Sequence, residues 1–282
     1  MTSTFAASVS VRCGSPVRAR GVRLRIGPPR ERCCAEQSNW AFSSSITADA
    51  YGPGVSEELI AEALSPYDGL LIATKGGYER SGPGGLSESG ELTGWTPNGR
   101  PGHLRSACEA SLRRLELDRI DLYQLHTPDP AIPFAESIGA LKDLQNEGKI
   151  RHIGVSNVTL EQLAVARTVA DITTVQHRLD FSNSRWRDML NECETHGFGF
   201  IPYRPLRAWD DAAHRHVLTP AASRLSASTD QIALAWLLAV SPVTLPIPGT
   251  ATRAHLEDNL AAAALRLDQD EIHAITAAVS QR

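Results

Sequence analysis

The run I-D-L-Y-Q-L-H at 120–126 is an apolar, strand-like stretch closed by one residue that can move a proton, His126. Two earlier runs have the same form. I-A-T-K-G-G at 72–77 supplies Lys75, and A-D-A-Y-G-P at 48–53 supplies Tyr51. Where strands run parallel in a closed α/β sheet, their carboxyl ends open on one face, so residues distant in sequence converge there. Such a set makes chemical sense. A phenol with a pKa of about 10 is a poor acid at neutral pH unless a shielded cation stabilises its phenolate, the role for Lys75. An imidazole beside the phenol orients a carbonyl oxygen or passes a proton, the role for His126. Any one of these residues alone is more often structural than catalytic. The set and its flanking sequence carry the reading.

Outward from these runs the chain alternates. β-branched or leucine-rich segments recur at Leu70–Thr74, Ile120–Leu125, Ile150–Val155, Ile172–Gln176, Phe198–Tyr203 and Val243–Ile247. Helical periodicity lies between them, at Ser56–Leu64, His103–Leu115, Phe134–Asn146, Thr159–Val169 and Asp230–Val240. Strands alternating with helices of this length imply parallel crossovers. A doubly wound sheet fits the alternation, but its G-x-G-x-x-G turn after the first strand is missing. The reading is therefore an α/β chain folded as a (β/α)8 TIM barrel, which takes about 250 residues. Between Gly76 and Gly102 the Gly/Ser/Pro-rich composition predicts a long loop carrying Tyr78 and Trp95.

Composition excludes several function classes. Apolar content of 42% and charged content of 21% are those of an ordinary globular protein. A net charge of -4 and a pI near 6.1 offer no general attraction to nucleic acid or an anionic membrane. No apolar run approaches the roughly 18 to 20 residues that span a bilayer. A cytoplasmic protein with a small-molecule substrate is expected. The five cysteines are odd in number, and adjacent Cys33 and Cys34 lack C-x-x-C spacing, so a disulfide framework is not expected. His214 and His216 read as solvated surface, and no metal site is expected.

A complete barrel needs two further strands before Leu70, and there the chain departs from pattern. Residues 1–46 form an atypical Arg/Ser-rich segment, and residues 47–282 the barrel. From Thr2 to Arg30 there is no acidic residue, and Cys33 to Ser45 has neither helical nor strand periodicity. A transit peptide has such a composition, but the dense basic residues and prolines of Arg18 to Arg32 make a poor amphipathic helix. The first strand and helix of the barrel are expected to be missing or malformed.

From about Ala48 to the C-terminus the chain resembles the aldo-keto reductases. A-D-A-Y-G-P-G-V-S-E-E-L-I is similar to the segment around the family's catalytic tyrosine, I-A-T-K-G-G to that of its lysine, and D-L-Y-Q-L-H to the strand carrying its histidine. G-K-I-R-H-I-G-V-S-N is close to a family signature, and G-F-G-F-I-P-Y-R-P-L and L-P-I-P-G-T resemble its last two barrel strands. The resemblance implies a (β/α)8 barrel that reduces aldehydes or ketones with NADPH, or with NADH. It implies Tyr51 as general acid, Lys75 lowering its pKa and His126 orienting the carbonyl. Ser156, Asn157 and Gln176 match positions that hydrogen-bond the nicotinamide carboxamide, and Tyr203, followed by Pro205 and Leu206, matches the aromatic that stacks on the ring. Gly249, Thr250, Arg253 and Asn259 match the loop and short helix that hold the adenosine phosphates. Trp95 falls where the family builds one wall of the substrate pocket.

The family pattern also places an aspartate five residues before the tyrosine, where it pairs with the lysine. Here that residue is Ile46. Without a partner a buried lysine is costly or loses its proton, so impaired activity is expected. One origin for both the lost periodicity and the lost carboxylate is translation from a shifted reading frame. Taking the third base of each codon with the next two forces a leucine from Cys33-Cys34 and a glycine from Trp40-Ala41. Permitted codons then recode Arg32 to Ile46 as L-L-R-R-A-V-Q-L-G-V-Q-F-I-D, an amphipathic helix, a turn and a strand ending in aspartate. The alternative functions are a catalytically weak nucleotide-binding regulatory or sensor relative, and the non-functional product of a damaged gene. Substrate identity and oligomeric state leave no signal.

Overall fold

The computed structural model describes residues 8–10, 18–19, 22–23, 44–86, 92–179, 181–182, 185–250 and 252–280. The chain divides into two compact units, one of residues 46–176 and one of residues 1–45 with 177–282. The stretch recoded by the frame-shift reading lies outside the described residues from 32 to 43; Ser44–Ile46 is described, as strand.

In the unit of residues 46–176 the strands follow chain order across the sheet: β1 (Ser44–Ile46), β2 (Leu71–Gly76), then β5 (Ile120–Leu125), β6 (Ile150–Ser156) and β7 (Ile172–Arg178). β2 with β5, β5 with β6 and β6 with β7 pair in parallel, with Lys75 opposite Gln124, Leu125 opposite Val155 and Gln176 opposite Ser156. After β1 the chain stays beside β2: Thr47 N donates to Ala73 O (2.9 Å) and Asp49 N to Lys75 O (3.1 Å). Parallel neighbours need long crossovers, which here are α1 (Val55–Leu64), α2 (Pro101–Leu115), α3 (Phe134–Asn146) and α4 (Leu160–Val169). Each helix buries one stripe. In α2 that stripe is Leu104, Ala107, Cys108, Ser111 and Leu115, at helical spacing. Thr159 and Gln162 close α4 with a capping box. The pattern is the α/β repeat of a (β/α) barrel, partial among the described residues.

The stretch read as a long loop contains an antiparallel hairpin, β3 (Tyr78–Leu86) with β4 (Leu92–Pro97). Its ladder pairs Tyr78 with Pro97 and Arg80 with Trp95, then shifts register before Gly85. The S-G-P-G-G run falls in that irregularity, so turn-forming residues mask a strand whose hydrogen bonds come from the backbone.

In the unit that includes residues 177–282, strand β8 (Gly199–Tyr203) makes parallel bridges from Phe200 to Thr244 and from Tyr203 to Ile247. The expected strand at Val243–Ile247 is reduced to these bridges. Pro246 cannot donate, and Pro242 and Pro248 flank the run. Helix α5 (Thr229–Val240), with a capping box of Ser228 and Gln231, buries Trp236 among Phe181, Trp186 and Trp209. The surface reading of His214 is corrected here: it is buried, its ring 5.5 Å from Phe181. His216 is exposed. No helix among the described residues is long and apolar enough to cross a membrane.

Candidate active site

The site is built on the carboxyl ends of β1, β2 and β5 and on the hairpin. Tyr51 sits in the turn between β1 and α1, closed by Tyr51 N donating to Ala48 O (3.1 Å) and Gly54 N to Asp49 O (2.7 Å). Lys75 lies near the end of β2. Its Nζ is 5.2 Å from the centre of the Tyr51 ring and donates to Thr47 O at 2.7 Å. His126 follows β5, its backbone N–H held by Gly76 O (2.9 Å) and its ring 5.8 Å from that of Tyr51. The three proton-transfer residues expected from sequence thus converge.

Burial sets their electrostatics. Lys75 is 1% exposed, and desolvation brings its pKa down to about 7 against the upward pull of Asp49 and Glu57. Burial first, and the Lys75 charge second, hold the His126 pKa well below the ordinary imidazole value. A neutral imidazole has one donor and one acceptor nitrogen, and His126 Nδ1 is buried with no partner. Asp49, which the sequence reading passed over, is pushed up to about 7, chiefly by burial and then by Glu57.

The hairpin supplies an aromatic wall. Trp95 stands edge-on to Tyr51 at 6.0 Å and to His126 at 5.9 Å, while Tyr78 lies 4.9 Å from His126 and 5.3 Å from Trp95. Arg80, also unassigned from sequence, sets its guanidinium 5.0 Å from the Trp95 ring and donates to Ala50 O at 3.0 Å. Hairpin pairing was the missing signal, since it brings residues 80 and 95 side by side.

Three residues expected to hold a nicotinamide lie at the ends of β6 and β7. Asn157 takes a left-handed backbone (φ 59°), donates through Nδ2 to His126 O (3.0 Å) and through its backbone N–H to Gln176 O (3.0 Å). Ser156 and Gln176 are buried, and Gln176 Oε1 has no partner. A buried amide oxygen without a donor fits a ligand N–H, since leaving it unmade is costly.

The remaining expected residues belong to the other unit. Tyr203 is half-buried at the end of β8, Pro205 is buried and Leu206 half-buried. Gly249 is exposed. Thr250 Oγ1 accepts from Thr252 N (3.2 Å), and Thr252 in turn caps helix α6 (Arg253–Ala261) by accepting from His255 N. Arg253 opens that helix, and its side chain is outside the described residues. Asn259 lines an apolar recess with Leu234, Pro246, Pro248 and Leu256. Among the described residues no cluster of His, Cys, Asp and Glu could hold a metal ion.

Comparison with known proteins agrees with this architecture. Residues 47–208 and 213–280 match the Aldo/keto reductase family. An oxidoreductase of Schizosaccharomyces pombe, itself described as uncharacterised, is 42% identical over 224 residues, 79% of this chain and 70% of that protein. Pyridoxine 4-dehydrogenase of Escherichia coli is 36% identical over 257 residues, covering 87% and 86% of the two chains. The crystal structure of an aldo-keto reductase from Klebsiella pneumoniae in complex with NADPH superposes with a TM-score of 0.69 at 27% identity, covering 87% of this chain and 83% of that one. With Tyr51, Lys75 and His126 converging at the strand ends of an α/β fold, and the match running almost unbroken from residue 47, the chain belongs to the aldo/keto reductase family of NAD(P)H-dependent oxidoreductases.

Proposed function

We propose that this chain reduces the carbonyl group of a small aldehyde or ketone to an alcohol, with Tyr51 delivering the proton to the carbonyl oxygen. The observation that carries the reading is the approach of Lys75 Nζ and the His126 ring to within 5.2 and 5.8 Å of the Tyr51 ring. NADPH, with NADH as the alternative, supplies the hydride when bound. Ser156, Asn157 and Gln176 would hold the carboxamide, Gln176 Oε1 being free to accept from it. Tyr203, Pro205 and Leu206 would border the ring, and Gly249, Thr250, Arg253 and Asn259 the adenosine phosphates. Neutral His126 orients the substrate oxygen, the ammonium of Lys75 stabilises the phenolate that forms on Tyr51, and Trp95 and Tyr78 wall the site against water.

The chemistry is assigned to residues 47–282, with 1–46 as a separate atypical segment. A cytoplasmic location is part of the proposal, supported by the free, buried thiols of Cys108 and Cys193. Tyr51→Phe tests the assignment. Removing the proton donor is expected to lower kcat with 4-nitrobenzaldehyde by at least about 100-fold, while NADPH still quenches tryptophan fluorescence. Full turnover by the variant refutes the role of Tyr51.

One observation favours a second reading, a nucleotide-binding relative with little turnover: position 46, where the family places a carboxylate, holds a buried isoleucine. NADPH quenching with no turnover by the unaltered chain across a broad aldehyde panel would select it.

A further inference from the structure

We propose that Asp49 is the positioning residue that supplies the counter-charge for Lys75 in this chain, where position 46 carries no carboxylate. The proposal rests on the roles of Tyr51 and Lys75 given above. A buried ammonium has three N–H donors to satisfy and a charge to balance. Among the described residues Lys75 Nζ makes one hydrogen bond, to the neutral carbonyl of Thr47. Ile46, 4% exposed, contributes only hydrocarbon.

Two carboxylates act on Lys75, those of Asp49 and Glu57. Glu57 is already engaged: it accepts from Thr74 Oγ1 (2.5 Å) and from Arg114 through Nε (2.7 Å) and Nη2 (2.6 Å). Asp49 differs. Its Oδ1 is buried with no partner. Its backbone is tied to Lys75 by Asp49 N donating to Lys75 O (3.1 Å), and the turn that follows is closed by Gly54 N donating to Asp49 O (2.7 Å). The effect is a field across low-dielectric interior rather than a contact ion pair, and such a field is strong because little water screens it. The other groups facing the pair are accounted for. Tyr51 presents its ring to Lys75, His126 is neutral, Glu57 is neutralised by Arg114, and the Tyr123 hydroxyl beside Asp49 is held protonated by burial.

Burial draws both Asp49 and Lys75 toward their neutral forms, each to about 7. Removing the Asp49 charge takes away an attraction that keeps the proton on Lys75. The ammonium is then lost at lower pH, and turnover with it.

The test is kcat against pH for the full chain, with NADPH and 4-nitrobenzaldehyde, in the unaltered protein, D49N, I46D and I46D/D49N, with Y51F as control. D49N is expected to lower kcat at neutral pH by about tenfold and to move the alkaline limb acidward by about one pH unit, with KM for the aldehyde unchanged. In the I46D background, where the carboxylate of the family pattern is back in place, the same change is expected to cost less than about twofold, a non-additivity a merely structural role does not produce. Equal losses in both backgrounds, or an unmoved limb in D49N, overturn the proposal. If D49N alone does not fold, I46D/D49N must fold and match I46D; failure there also overturns it. Y51F inactive with D49N unaltered sinks the role of Asp49 alone, whereas Y51F fully active sinks the reading on which it rests.

Discussion

A lysine held to a pKa of about 7 by burial is a burden on stability at neutral pH. The unfolded chain binds this proton up to the ordinary lysine value of 10.5, the folded chain only up to about 7, so between those limits the Lys75 contribution to stability rises with pH. Asp49 behaves oppositely. Its pKa is raised from 3.8 to about 7, so its contribution is fullest below 3.8 and is lost as pH rises to 7. Lys75→Met is expected to abolish turnover and to gain stability relative to the unaltered protein near pH 6, with the gain shrinking toward pH 10. Thermal melts at several pH values check this, and a gain constant with pH refutes it. Tyr123 is a quieter case. Its hydroxyl is buried without a partner, so Tyr123→Phe should be neutral or stabilising by about 1 kcal/mol in urea titration. That Tyr51, Lys75 and His126 come together was legible in sequence, because each closes an apolar strand-like run. Their protonation states were not, since desolvation depends on what the rest of the chain places around them. Asp49 shows the same limit. It lies inside the motif A-D-A-Y-G-P, yet the unpartnered Oδ1 and its proximity to Lys75 are properties of packing.

At the scale of elements, the buried Glu57 ties α1 to α2 through Arg114 and to β2 through Thr74. Breaking one side of such a pair leaves an uncompensated buried charge. Arg114→Met is expected to destabilise by about 3–5 kcal/mol, read from the urea midpoint; Glu57→Gln in the same background should return much of it. β2 and β5 meet closely at Gly76, where a Cβ would lie 2.0 Å from the Tyr123 hydroxyl oxygen. Gly76→Ala should therefore cost about 1–3 kcal/mol by overpacking, and Tyr123→Phe should partly rescue it. The alternation of strands and helices was readable because core-facing residues repeat with helical or strand period. The hairpin of β3 and β4 was not. Its glycines and proline read as loop, while its pairing depends on backbone groups that leave no compositional trace.

At the scale of the whole molecule, the family match begins at residue 47, one residue after the position whose side chain departs from the family pattern. If the preceding stretch is out of frame, replacing residues 32–46 with L-L-R-R-A-V-Q-L-G-V-Q-F-I-D restores the carboxylate that the family pattern places five residues before the tyrosine. The expected result is a kcat profile whose alkaline limb lies about one pH unit higher and a sharper, higher thermal transition. An unchanged limb and melt would show that the natural segment already serves, and DNA sequence across the first codons decides which chain the gene encodes. What the sequence by itself determined is the order of elements, the (β/α) class, the family and which residues end the strands, because periodicity and strand-end motifs are local properties of the chain. Only the tertiary structure decided that Trp95 and Arg80 stand side by side near Tyr51, that His214 is buried, and that Lys75 and Asp49 both titrate near 7. Those outcomes depend on removing particular groups from water, and which groups lose their water is settled by contacts between residues far apart in sequence.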